Sequence, residues 1–349
     1  MLESLGFDAT FKSHSADSIN SGFTVARIIE VNKNSYLVSD GIHEIVAEIS
    51  GKFMFDASDA TEYPTTGDWV AVQIFDNNTF AIIHKVLPRK TVLKRKEPGK
   101  RVGFQLIAAN IDYGLVVQSA ADCNYNLLDR YFVMLHECGI KPVSVFTKID
   151  LLSQTELEKF KNTLPQSNND YLLISNNTSQ GVEELTKRLV PGKTYCLLGQ
   201  SGVGKTSILN SLLNTNEFMV NEIHEKDGKG RHTTVSRQLI RLDSGSLFID
   251  TPGIRELGNF GIESGLDQTF EFSDLASSCR FRDCTHVHEA GCAIIEAVRN
   301  GEIEERRYQN YLKMRKESDF FEMSYLERRK KEKKFGRMVK DYQKRKGRE

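Results

Sequence analysis

The chain has no run of apolar residues near the ~20 needed to cross a bilayer, which excludes a helical membrane protein. Its start, MLESLGFDATFKSHSAD, lacks the basic residues and apolar stretch of a secretory signal, so a cytoplasmic location with no membrane partner is expected. Internal repeats and long Gly/Ser linkers are also missing, which leaves a chain of ordinary globular domains. Net charge is absent too: 47 Lys and Arg offset 47 Asp and Glu. At 349 residues, 39% of them apolar and 27% charged, two or three domains with their own cores are expected.

The charge balance hides a segregation. Residues 328–349 hold twelve Lys/Arg against three Asp/Glu, a net of +9, so the other 327 residues carry −9. A second basic run at 85–101 contains Lys85, Arg89, Lys90, Lys94, Arg95, Lys96, Lys100 and Arg101 against Glu97 alone. Segregation of this kind points to a polyanion such as RNA; the competing reading is a solvated tail and a charged linker. Of the six cysteines, Cys123, Cys138 and Cys196 are scattered singly among apolar residues and read as reduced core residues.

Residues 22–92 contain short apolar segments (FTVARIIEV, SYLVSD, HEIVAEIS, DWVAVQIF, FAIIHKVL) with Asp40-Gly41, Thr66-Gly67 and Asn77-Asn78 as turns. About five strands in this length suit a small closed barrel of the OB-fold type, with Trp69 in its core. From about residue 103 the pattern changes to apolar strands alternating with amphipathic helices, the signature of βαβ units and a parallel sheet. The expected architecture is multidomain. It has an N-terminal OB-fold barrel for RNA over 1–95, an α/β P-loop nucleotide domain over 96–275, and a mainly helical metal-binding domain with a basic tail over 276–349.

Gly199 to Thr206, GQSGVGKT, matches GxxxxGK(S/T) between the strand KTYCLLG and the helical run TSILNSLLN. The nucleotide-binding set here is Gly199, Gln200, Ser201, Gly202, Val203, Gly204, Lys205, Thr206 and Ser207. The glycines allow backbone N–H groups to turn around a phosphate at the positive end of the helix. Lys205 is expected to span the β- and γ-phosphates, and the Thr206 hydroxyl to ligate Mg2+. Asp250-Thr-Pro-Gly253 ends the strand SLFID, where Asp250 would hold Mg2+ through water and the Gly253 N–H would sense the γ-phosphate. Between them, Lys229 to Thr234 (KGRHTT) suits a mobile switch loop whose Thr234, or Thr233, completes the Mg2+ shell.

Thr147-Lys148-Ile149-Asp150 ends the strand PVSVF and fits the guanine reader (N/T)KxD. The Asp150 carboxylate would accept hydrogen bonds from guanine N1–H and the 2-amino group, which adenine cannot supply, while Lys148 lies along the base. Ser175-Asn176, after the strand YLLIS, would offer a backbone N–H to guanine O6. The motifs therefore run base reader, SN, phosphate loop, switch, DTPG. A circular permutation of one nucleotide-binding sheet accounts for this order, and the close termini of compact domains make it possible. The expected ligand is GTP or GDP with Mg2+.

Cys279-x4-Cys284-x-His286-x5-Cys292 offers three thiolates and one imidazole, the donor set of a closed structural zinc site; His288 is not expected to ligate. A barrel, TKID, GQSGVGKTSILN, GRHTT, DTPG and CRFRDCTHVHEAGCAI in this order closely resemble the bacterial small ribosomal subunit biogenesis GTPase family, RsgA or YjeQ. The resemblance covers roughly residues 20–300. It implies an OB-fold, a permuted GTPase domain and a zinc domain. It also implies action on the 30S subunit and its 16S rRNA late in maturation, with GTP hydrolysis stimulated by that particle. Two other readings are a permuted GTPase of the large subunit and a GTP-gated RNA-binding scaffold without turnover. Nothing points to an obligate dimer, so a monomer is expected.

The residue after the DTPG glycine, where many GTPases carry a water-orienting Gln, is Ile254. Slow intrinsic hydrolysis is expected. His232 is the internal candidate for the catalytic group, because an imidazole can orient water or accept a proton near neutral pH. Arg231 is the alternative, as a stabiliser of transition-state charge.

Overall fold

The computed structural model describes residues 1–96, 104–164, 171–213, 237–250 and 262–322. The chain packs into two compact units, Met1–Leu257 and Gly258–Glu349.

The β-branched segments of the first unit form β1 (Thr24–Val31), β2 (Tyr36–Ser39), β3 (Glu44–Ile49), β4 (Trp69–Phe75) and β5 (Phe80–Val86). They close in the order β1-β2-β3-β5-β4, with β4 returning to β1. Closure removes free sheet edges. The interior mixes small and branched residues, Ala26, Ile28, Val38, Ile45, Val70, Ala81 and Ile83 among them, as a narrow barrel requires. The five strands and the barrel are as expected.

The N-terminal residues carry no helix signal in the sequence, yet α1 spans Ala9–Asn20. Asp8 caps it by accepting from the Thr10 and Phe11 N–H groups at 3.0 and 3.3 Å. Its segment carries Phe7 and Phe11 onto Trp69, with ring centroids 4.8 and 5.7 Å away, and Trp69 is fully buried. A second short helix, α2 (Gly51–Asp56), is capped by Ser50.

The basic run at 85–101 also proves to be structured where it is described. Strands β6 (Val92–Lys96) and β7 (Phe104–Ala109) form an antiparallel hairpin. Arg89 clamps the buried Asp68 with two 2.8 Å bonds, and Lys90 pairs with Asp8. Lys100 and Arg101 lie outside the described residues, as does the basic tail at 328–349.

The nucleotide sheet follows. Its strands are β8 (Tyr113–Ser119), β9 (Lys141–Thr147), β10 (Tyr171–Leu173), β11 (Thr194–Leu198), β12 (Leu239–Arg241) and β13 (Leu247–Ile249). Their spatial order is β10-β9-β8-β11-β13-β12, all parallel except the β12 edge. Helices α3 (Tyr125–Glu137), α4 (Gln154–Thr163), α5 (Val182–Arg188) and α6 (Lys205–Leu213) connect them. Along β8, Val116 joins one hydrophobic cluster while Leu115 and Val117 join another, so both faces are covered.

Arg27 joins barrel and sheet. Only 1% exposed, it donates to the carbonyls of Leu5, Gly67 and Asn110 and to Thr194 Oγ1 on β11. Burial pushes its pKa down to about 10, which still leaves it charged at neutral pH.

The second unit is helical where it is described, with α7 (Glu263–Phe270), α8 (Ser273–Ser277), α9 (Ala293–Arg299) and α10 (Glu305–Glu322). Phe270 and Phe272 pack on Tyr311 of α10 at 5.4 and 5.1 Å between centroids. Among the described residues no helix is long and apolar enough to cross a membrane.

Candidate functional site

Because β9, β10, β11 and β13 run parallel, the motifs that follow them collect at one edge of the sheet. Ligands of open α/β sheets bind in the crevice there. Gly199 leaves β11 at φ 145°, and a Cβ on it would stand 2.2 Å from the Val117 carbonyl of β8. Gly202 and Gly204 are left-handed at φ 77° and 98°, so the loop needs glycine at each of the three positions. The turn ends where α6 begins at Lys205, directing the helix's first N–H groups toward the loop. The Lys205 ammonium lies over the loop and donates to the carbonyls of Gly199 at 2.8 Å and Gln200 at 2.6 Å. Thr206 and Ser207 occupy the first turn of α6.

Thr147 stands at the end of β9, fully buried. Its hydroxyl lies 2.6 Å from the Val203 carbonyl and 3.2 Å from the Gln118 carbonyl, and a single O–H serves these two acceptors. The base-reading motif is thus bonded to the phosphate loop. Lys148 then adopts φ 57°, an uncommon conformation for a residue with a side chain, and starts a short turn that presents Asp150 at the surface. A hydrogen bond from Ser175, helped by one from Asn177 Nδ2 at 3.0 Å, holds the Asp150 carboxyl below the usual carboxylate range. The Ser175 N–H is already committed to the Gln180 carbonyl at 2.9 Å, so Ser175 acts here through its hydroxyl. Asn176 packs against the phosphate loop: a Cβ on Gly204 would stand 3.2 Å from its Nδ2, and its Oδ1 is buried with no partner among the described residues.

Asp250 follows β13. Its N–H donates to the Gln238 carbonyl at 3.0 Å, which fixes the strand end. Burial raises its carboxyl pKa, and the nearby Lys205 ammonium opposes that rise. His232, Arg231, Thr233, Thr234, Gly253 and Ile254 lie outside the described residues.

In the second unit Cys279, Cys284, His286 and Cys292 bring one donor atom each to within 4.8 Å of one another. A tetrahedral ion with ~2.3 Å bonds to sulfur and ~2.0–2.1 Å to nitrogen would set S–S at about 3.8 Å and S–N at about 3.6 Å. The observed separations are 3.9 Å for Cys279–Cys292, 3.6 Å for Cys279–His286 Nδ1 and 3.4 Å for His286 Nδ1–Cys292. Donor chemistry and spacing both fit one four-coordinate metal ion, and His288 is not among the donors.

Two supports of this cluster were not found from sequence. The Glu289 carboxylate accepts from the N–H groups of Thr285, Val287 and His288 at 2.9, 3.0 and 3.1 Å and from the Thr285 hydroxyl. Tyr308 donates to the His286 carbonyl at 2.6 Å. Asn177 was missed as well. Its only signal is an amide placed directly after the SN pair in a strand-end turn.

Comparison with known proteins agrees with this geometry. The RsgA GTPase family model matches residues 86–260. The small ribosomal subunit biogenesis GTPase RsgA 1 of Bacteroides thetaiotaomicron is 38% identical over 328 residues, covering 92% of this chain and 90% of that protein. The RsgA protein of Leptospira interrogans is 39% identical over 290 residues, 80% of each chain. The crystal structure of YjeQ from Thermotoga maritima superposes with a TM-score of 0.66 at 29% identity, over 84% of this chain and 97% of that one. YloQ, a circularly permuted GTPase, shares the fold with a TM-score of 0.63 at 24% identity, over 87% of this chain and 97% of its own. The matches run over most of the length of this chain and of its relatives, and the chain belongs to the RsgA GTPase family.

Proposed function

We propose that this protein binds GTP and hydrolyses it to GDP and phosphate, acting on the 30S ribosomal subunit in its late maturation with turnover stimulated by that particle. The observation that carries the reading is the bond from Thr147 to the Val203 carbonyl, which locks a guanine-reading motif to a phosphate loop. Asp150 selects guanine by accepting from N1–H and the 2-amino group, with Lys148 along the base and Asn176 between base and loop. Lys205 exchanges its loop carbonyls for β- and γ-phosphate oxygens, and N–H groups of Gly199 to Ser207 surround the phosphates.

Thr206 and Asp250, with Thr234, would hold Mg2+ bound together with GTP, where the ion neutralises charge developing on the phosphate oxygens. Ile254 cannot orient a water, so His232 or a group of the subunit completes the site. The Cys3His cluster holds one Zn2+ in a closed structural site, with no position open for water.

Contact with 16S rRNA comes from the basic hairpin and tail, by phosphate attraction that positions without reading sequence. The names of the relatives support the small subunit as partner. The protein works as a monomer in the cytoplasm, in the three parts 1–95, 96–275 and 276–349.

Multiple-turnover phosphate release with and without purified 30S or 50S subunits tests this. Release stimulated by 30S is expected. Stimulation by 50S alone would assign the enzyme to the large subunit, and no release under any condition would make it a scaffold.

A further inference from the structure

A cavity of about 500 Å³ lies at the edge of the sheet where β8 and β11 begin, opposite the phosphate loop. β11 runs five residues from Thr194 to Leu198, which puts its start about 16 Å from Gly199. The cavity is therefore separate from the nucleotide site. Three parts of the first unit close around it. Phe7 and Phe11 come from the N-terminal segment, Arg27 from β1, Lys90 from the stretch before β6, and Asp112 and Lys193 from just before β8 and β11. Junctions of this kind are where small ligands commonly bind.

Donors outnumber acceptors on its wall. Lys90 donates to Asp8, and Lys193 donates to Asp112 at 2.9 Å, which uses one of the three N–H groups on each ammonium. Arg27 uses four of its five N–H groups on protein acceptors, and the fifth is on Nη1. Nη1 is close to another lining residue, since a Cβ on Gly6 would stand 3.1 Å from it. The carboxylates are more fully engaged. Asp8 also accepts from the Thr10 and Phe11 N–H groups, and Asp112 accepts from the Thr194 N–H at 2.8 Å. Glu3 is held by the N-terminal ammonium at 3.1 Å and by Lys12 at 3.4 Å.

Charge points the same way. The Lys90–Asp8 and Lys193–Asp112 pairs each cancel, whereas Arg27 bonds to no carboxylate among the described residues. Asp68, which acts on Arg27 through its charge, is already clamped by Arg89. One buried positive charge is left beside an acceptor-poor space, and the complement is an anion rich in acceptors. Part of the wall is hydrocarbon: the Lys90 ammonium itself stands 4.4 Å from the centre of the Phe11 ring. An anionic group on a carbon frame matches such a wall better than a bare oxyanion does.

We infer that this cavity is a binding site for a small organic carboxylate. Lys90, Lys193 and Arg27 Nη1 donate to its oxygens, and Phe7 and Phe11 cover its carbon frame. The ligand touches N-terminal segment, barrel and sheet at once, so it stabilises the first unit as a whole, by an amount set by its concentration relative to its dissociation constant.

Full-length protein saturated with GDP and Mg2+, so that the phosphate loop is filled, is titrated calorimetrically with benzoate, succinate and inorganic phosphate. Melting temperature is followed in parallel, against sodium chloride of equal ionic strength. A saturable one-to-one response to benzoate or succinate is expected, with a rise in melting temperature, while phosphate does no more than the chloride control. Lys90→Gln and Lys193→Gln should each weaken carboxylate binding about tenfold, the worth of one charge-assisted hydrogen bond, with GDP affinity unchanged. Lys90→Arg and Lys193→Arg keep the charge and should retain most of the affinity. No saturable response to either carboxylate in the wild-type protein would overturn the site, and so would full binding by both Gln variants. Phosphate bound as tightly as the carboxylates would overturn the ligand class. None of these outcomes depends on GTP turnover or on the ribosomal subunit, so the functional reading stands or falls separately.

Discussion

Replacing Thr147 by Val tests the junction on which guanine recognition depends. The side chains are nearly the same in shape, and the site is fully buried, so the change removes a hydroxyl with little change in packing. The Val203 and Gln118 carbonyls, at 2.6 and 3.2 Å, then lose their donor. Leaving a buried acceptor unpaired costs about 1–3 kcal/mol. Part of that loss appears as lower stability. The rest frees Gly202 to Gly204 to leave the phosphate-cradling conformation, and apparent affinity falls by the fraction of molecules that do so. The ceiling is therefore about 5- to 150-fold in the GDP dissociation constant, since 1.4 kcal/mol corresponds to a factor of ten. Titration with a fluorescent guanine nucleotide, alongside urea unfolding, separates the two parts. Thr147→Ser keeps the donor and should recover most of the affinity. Thr147→Val protein that binds GDP as tightly as wild type while remaining folded would refute the argument that this bond organises the loop.

Other outcomes follow from the same geometry. Asn177→Ala combined with Ser175→Ala should narrow the preference for GDP over IDP, because the Asp150 carboxylate loses the bonds that orient it. Those bonds hold the folded pKa low, so nucleotide affinity falls as pH drops through that value; in the double variant the fall should begin at a higher pH, as a pH series of GDP titrations would show. Cys284→Ser should reduce bound zinc from one equivalent to well below one, read by metal analysis, with loss of helical circular dichroism from the second unit, since structural sites of this kind supply folding energy. Arg27→Lys cannot reproduce a fork that reaches three carbonyls and a hydroxyl, so urea unfolding should show a loss of about 1–3 kcal/mol.

The parts legible in the sequence were those set by short-range chemistry. Strand–loop–helix punctuation located the phosphate loop, alternation located the five barrel strands, and cysteine spacing located the metal donors. Elements whose reason lies elsewhere in the chain were not legible. The polar helix α1 exists because Phe7 and Phe11 cover Trp69, and nothing in its own composition marks it. Strand β12 is three residues long and is defined by its pairing with β13. The run at 85–101 counted as one basic patch, although Arg89 and Lys90 are paired with Asp68 and Asp8. Charge counts record composition; which charges remain available is decided by folding.

Arg27 also limits how this chain can be rebuilt. Its four acceptors come from the N-terminal segment, a barrel turn, the connection after the hairpin and the strand that leads into the phosphate loop. A graft of this barrel onto another GTPase, or a cut at its border, would strand a guanidinium that bonds to no carboxylate among the described residues. Recombination between relatives should therefore succeed when Leu5, Arg27, Gly67, Asn110 and Thr194 travel together, and chimaeras that divide them should express as insoluble protein.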